Sequence, residues 1–124
     1  MILFIDEPWL LDLAQTHLPG DPDVVDWGAL TAAVARHRAE TMGTAVYPEP
    51  HHRAAALLHS LVRVPAMEHS NQLFAASAAV AYLAASGRPV KVTAGEAGDL
   101  IEQVDSGTLD VRQVAAALRG WTES

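Results

Sequence analysis

The chain contains no cysteine. Disulfides, thiolate catalysis and zinc–thiolate sites are therefore excluded. Basic residues are also scarce. Eight Lys and Arg stand against 15 Asp and Glu, a formal net charge of −7. Nucleic-acid binding needs a basic face to neutralise phosphates, so no nucleic-acid partner is expected. No apolar run reaches membrane-spanning length, and the most alanine-rich run, Phe74 to Ala85, is too short. The start, "MILFIDEPWLLDLAQTH", is apolar but interrupted by acidic residues and has no basic lead-in, unlike a signal peptide. No membrane partner is expected. The lack of cysteine is compatible with a reducing compartment, and a soluble cytoplasmic protein is the expectation.

What is present points to helices. Aromatics make up only 6% of the chain, half of its residues are hydrophobic, and alanine, the best helix former, is abundant. A length of 124 residues suits one domain, residues 1–124, around one core. The expected class is all-α.

Breakers and apolar spacing divide the chain. "MILFI" is a short extended start, and a first helix follows in "DEPWLLDLAQTH", with Pro8 in its first turn and Asp6 or Glu7 as cap. Trp9, Leu10, Leu13 and His17 share one face of it. After the loop "LPGDPD", a second helix spans about Val25 to Thr41, with Trp27, Leu30, Val34 and His37 on one face. A third runs from Pro50 to about Val62 with the stripe Ala54, Leu57, Leu58 and Leu61. The fourth, about residues 71–86, is apolar nearly all round, as a central bundle helix should be. Gly87 is its stop. "RPVKV" is a short extended piece. Thr93 with Glu96 forms a capping box that opens a fifth helix, closed by Gly107, and Asp110 with Gln113 opens a last one.

The loop "VRVPAMEHSNQ" feeds the fourth helix and carries the only suggestive polar run, Glu68, His69, Ser70 and Asn71. A helix start with free backbone N–H groups favours an anion. The loop holds no lysine, and its one arginine, Arg63, stands well before the helix.

The order "YPEPHHRAAALLHSLVR", loop, "NQLFAASAAVAYLAASGRPV", then "EAGDLIEQVDSGTLDVRQVAAALRGW" resembles the Fic/Doc superfamily, and within it the Doc (death-on-curing) branch. The segment "LPGDPDVVDWGALTAAVAR" is similar to an upstream family helix, so the resemblance covers about residues 19 to 120. It implies a Fic/Doc-like helical bundle around a central apolar helix. It also implies a catalytic loop of the form His-x-Phe-x-Asp-x-Asn-(Lys)-Arg, with a small residue before the Asn. Anchored on Asn71, the small residue falls on Ser70, the metal-binding acid on His69, the aromatic on Met67 and the catalytic His on Pro65. The basic pair that grips phosphates falls on Gln72 and Leu73.

These departures have chemical consequences. Pro65 has no titratable group and cannot take a proton. An imidazole at position 69 is a poor Mg²⁺ ligand. Gln72 donates a hydrogen bond without charge, and Leu73 offers the phosphates nothing. Loss of AMP or phosphate transfer is the expectation, with no cofactor. Residual family chemistry on a nucleoside triphosphate would need a base from elsewhere, and His69 is the only near one.

Two function classes follow. In the first, the chain is a Doc-like pseudoenzyme derived from a toxin–antitoxin system. It would act by binding an antitoxin-like protein segment beside the second and third helices, a second copy as a homodimer, or a small anionic ligand. Arg63, Ser70, Asn71 and Gln72 would contact such a ligand. In the second, the Fic fold is repurposed, in a biosynthetic pathway for example, with Glu68 and His69 as the catalytic acid–base pair. Against this stands the plain alternative that Glu68 and His69 are solvated loop residues, since neighbours in sequence often point apart.

His51, His52 and His59 invite a metal reading, but the helical i, i+4 His pair is absent and no carboxylate lies in register, so no metal site is expected. His59, within "LLHSL", reads as a hydrogen-bonded structural histidine. Trp9, Trp27, Trp121, Tyr47 and Tyr82 read as core before pocket. Asp99, Glu102 and Asp105 read as a solvated face.

Overall fold

Asp6 opens the first helix as expected: its Oδ1 accepts the Trp9 amide at 3.0 Å, and Pro8 fills the first turn. A computed structural model describes residues 2–122, so Met1, Glu123 and Ser124, within the expected span 1–124, lie outside the described residues. The elements are α1 (Glu7–His17), α2 (Trp27–His37), β1 (Glu40–Thr41), β2 (Thr44–Ala45), α3 (Pro50–Arg63), α4 (Asn71–Ala85), α5 (Ala94–Asp105) and α6 (Val111–Thr122). The expected all-α class is what forms: the described residues make a bundle of six helices with one two-stranded antiparallel hairpin.

Local chemistry sets the remaining boundaries. Asp26 caps α2 by accepting the Ala29 amide at 3.0 Å. Thr93 and Glu96 form the capping box of α5. Asp110 and Gln113 exchange reciprocal bonds of 2.9 Å at the start of α6. Gly87 and Gly107 take φ of +81° and +80° just past α4 and α5, where a Cβ would be strained.

Three expectations need correction. The second helix ends at His37, not Thr41, because the chain turns there into the hairpin, with Met42 and Gly43 at positive φ making its tip. Trp27 does not join Leu30 and Val34 inside: it is the first residue of α2, before the helix meets the core, and is 57% exposed. His17 is exposed too, in the last turn of α1.

α3 packs against α2, α4, α5 and α6. Leu57, Leu58 and Leu61 of α3 are fully buried, each contributing about 1.5–3 kcal/mol by leaving water. α4 lies along α3 and touches α1 and α5, burying Phe74, Ala75, Ala78, Ala79, Tyr82 and Leu83. Its other apolar side is only partly covered. Leu73 is 46% exposed, and Ala76, Val80 and Ala81 are half-buried. Among the described residues no helix is long and apolar enough to cross a membrane.

Candidate functional site

The loop between α3 and α4 is held by the loop before α2. The Val25 and Asp26 amides both donate to the Ala66 carbonyl, at 2.8 and 3.1 Å, and Val24 bridges Met67. The Glu68 amide donates to the Asp23 carbonyl at 2.9 Å. In return the Asp23 amide donates to Glu68 Oε1 at 3.0 Å. Asn71, the first residue of α4, reaches back to Met67. Its Oδ1 accepts the Met67 amide at 3.0 Å, and its Nδ2 donates to the Met67 carbonyl at 2.9 Å. A carboxamide suits this task because it offers both an acceptor and a donor.

Ser70 precedes α4 in the left-handed region, φ 64° and ψ 27°, and its side chain makes no capping bond. That backbone favours glycine, and a non-glycine residue held there costs about 1–3 kcal/mol. His69 Nδ1 lies 2.8 Å from Ser70 Oγ, both at the surface. The imidazole sits over Gly20, where a Cβ would come 3.4 Å from His69 Cε1; with φ +77° this position needs glycine.

The structure therefore brings Glu68, His69, Ser70 and Asn71 together at one helix start, with Gln72 exposed beside them. It does not bring Arg63 to them. Arg63 Nη1 donates to the Asp105 carbonyl at 2.6 Å, at the C-terminus of α5, where a cation complements the helix dipole. Met67 is buried, Pro65 is exposed and Leu73 is largely so. The two facing loops, residues 19–26 and 64–70, carry Asp21, Asp23, Asp26 and Glu68 and neither Lys nor Arg. Such a field repels a phosphate.

The histidines of α3 have other employment. His51 Nε2 meets Thr122 Oγ1 at 2.8 Å. Burial, then the charges of Arg119 and Arg88, push His51 below the ordinary histidine value. His59 Nδ1 faces Arg36 Nη1 at 3.0 Å, and burial with the Arg36 charge lowers its pKa too. His59 is thus the hydrogen-bonded structural histidine expected. His52 Nδ1 is buried without a partner.

Sequence reasoning missed a buried polar cluster at the other side of α3. Arg53 is 3% exposed and, among the described residues, meets no carboxylate. Its Nη1 donates to the carbonyls of Tyr47 (3.0 Å) and Pro48 (2.8 Å), and its Nε to Tyr82 Oη (2.6 Å). Tyr82 Oη in turn donates to the Leu3 carbonyl at 2.5 Å. His37, 1% exposed, accepts the Ile5 amide at Nε2 (3.1 Å), which makes Nδ1 the donor to the Arg53 carbonyl (3.1 Å). Burial lowers the His37 pKa, the Arg53 carbonyl opposes that, and the Arg53 and Arg38 charges reinforce it. The signal was present: Arg53 stands four and eight residues before Leu57 and Leu61, on the apolar stripe.

A helical bundle with a loop leading into its most apolar helix agrees with the arrangement that the resemblance to the Fic/Doc superfamily implies. No family model matches the chain. A relative named "Toxin Doc" from Mycolicibacterium smegmatis is 34% identical over 125 residues, spanning 98% of this chain and 95% of the relative. The chain belongs to the Doc-like branch of the Fic/Doc superfamily.

Proposed function

We propose that this chain is a Doc-like protein of the toxin–antitoxin kind that has lost AMP and phosphate transfer and acts by binding. One observation carries the reading. The loop before α4 retains its scaffold, with Asn71 gripping the Met67 backbone and Ser70 in a glycine-like conformation. Yet the positions that would do the chemistry hold Pro65, His69, Gln72 and Leu73, and the two facing loops carry four carboxylates and no Lys or Arg. The relative's name supports the toxin–antitoxin setting and makes an antitoxin-like protein segment the natural partner. A homodimer or a small anionic ligand are the lesser options; the acidic loops disfavour the anion.

A repurposed enzyme is the second reading, and the His69–Ser70 contact at 2.8 Å favours it, since an imidazole on a hydroxyl is a base poised on a nucleophile. Glu68 would orient the loop rather than His69, because its Oε1 holds the Asp23 amide.

The test is transfer itself. The protein is incubated with Mg²⁺ and nucleoside triphosphate labelled at the α- or γ-phosphate, with a bacterial extract as acceptor. Background labelling equal to that of the His69→Ala variant is expected. Label transferred above background by the native chain and lost in the variant would overturn the proposal.

A further inference from the structure

A recess adjoins the stapled loops, and its walls specify an occupant. It is a cleft of about 240 Å³ between α1 and the loop before α2, lined by Leu11, Ala14, Val24 and Met67 on its apolar side and by Asp21, Asp23 and Trp27 at its mouth. Large aromatics are normally drawn into a core, yet Trp27 stays 57% exposed here. Among the described residues the carboxylates of Asp21 and Asp23 meet no cation. Residues 1–35 contain six Asp and Glu and neither Lys nor Arg, and Arg63 is turned to Asp105. The ion pair found among the described residues, Arg119–Glu49, joins the α3 and α6 side of the bundle.

An apolar channel, an exposed indole and unpaired carboxylates at the mouth form a receptor for one kind of group, a cation on an aliphatic stem. The methylenes of Lys or Arg pack along the channel while the head stays at the charged rim. The indole face adds a cation–π contact, and Arg gains further from a planar fork that matches a carboxylate. A second copy of this chain is a poor occupant, because each copy carries the same −7 charge.

We propose that this cleft takes an arginine or lysine side chain from a segment of a protein partner, as the anchor of the binding function proposed above. The inference rests on that binding reading but not on the absence of transfer chemistry.

The test uses the full chain and a short amidated helical peptide of alanine, leucine and arginine. Its controls replace arginine by citrulline, of the same shape without charge, or by glutamate. Affinity is read by tryptophan fluorescence, and the site by the Trp27 indole N–H signal in ¹H–¹⁵N spectra. The arginine peptide is expected to bind and shift that signal, about tenfold more tightly than the citrulline peptide, and to weaken with added salt. Trp27→Ala and the pair Asp21→Asn with Asp23→Asn should each weaken it several-fold. The Asp pair keeps the fold intact, since Asn tolerates the positive φ of Asp21 and neither carboxylate carries a fold contact. Equal binding of the citrulline or glutamate peptide, an unmoved Trp27 signal at millimolar peptide, or unchanged affinity in both variants would each overturn the cleft. Binding that shifts other signals and spares Trp27 overturns the cleft while leaving the binding reading intact.

Discussion

Two polar regions of this molecule are built on opposite terms. Around Arg53, a charged group is sealed from water, every polar hydrogen that Arg53, Tyr82 and His37 show in contact ends on a carbonyl or a hydroxyl, and the free His37 ring nitrogen accepts the Ile5 amide. Around His69, the side chains lie at the surface, and their hydrogen bonds run mostly to the adjoining loop or the next residue. The first region ties the N-terminal extended segment, α2, α3 and α4 into one body. The second shapes a surface. A buried charge is tolerated only when its hydrogen bonds are met, so the first region constrains sequence tightly, whereas the second leaves its exposed positions free to change.

The largest effect should come from breaking the buried region. Arg53→Ala leaves two carbonyls and the Tyr82 hydroxyl without their donor, and urea denaturation should read a loss of about 3–5 kcal/mol, since each buried polar group left unsatisfied costs about 1–3 kcal/mol. A loss below about 1 kcal/mol would mean that water reaches the cluster. Next is Asn71→Ala, which removes both bonds to the Met67 backbone and should cost about 1–3 kcal/mol. Amide hydrogen exchange should then quicken at Met67, with α3 unchanged.

Acid should act on the buried region. His37 has a folded pKa below its unfolded one, so the unfolded chain binds more protons as pH falls through that interval. The contribution of neutral His37 is complete above the ordinary histidine range and is lost on acidification below it, with His51 and His59 acting in the same direction. The melting temperature should fall between neutral pH and mildly acid pH, and His37→Gln should flatten the slope while lowering stability throughout. An undiminished slope in that variant would move the effect elsewhere.

The smallest effects belong to the surface region. Ser70→Gly relieves the left-handed backbone at the cost of one exposed hydrogen bond and should stabilise by roughly 0.5–1 kcal/mol. His69→Ala should change stability by less than about 0.5 kcal/mol, as surface substitutions do.

Much of this contrast was legible in residue order. The caps at Asp6, Thr93 and Asp110 and the glycine stops at 87 and 107 are local signals, and local chemistry decided them. The loop quartet was legible as a group because its members are neighbours in sequence. What stayed hidden depends on distant contacts. Arg63 stands near the loop in sequence, but the carbonyl that holds it belongs to Asp105. Arg53 drew no reading because a buried arginine is rare, and its partners come from Tyr47, Pro48 and Tyr82. Trp27 looked like core because periodicity says nothing about where a helix first meets its neighbours.

The central claim is that the start of α4 has kept its shape and lost its nucleotide. It is met most directly by thermal-shift titration of the purified chain with ATP, GTP and CTP, with and without Mg²⁺. A ligand that binds the folded state alone must raise the melting temperature by mass action. The account predicts no Mg²⁺-dependent rise at millimolar nucleotide. A rise that needs Mg²⁺ and disappears in His69→Ala would contradict it.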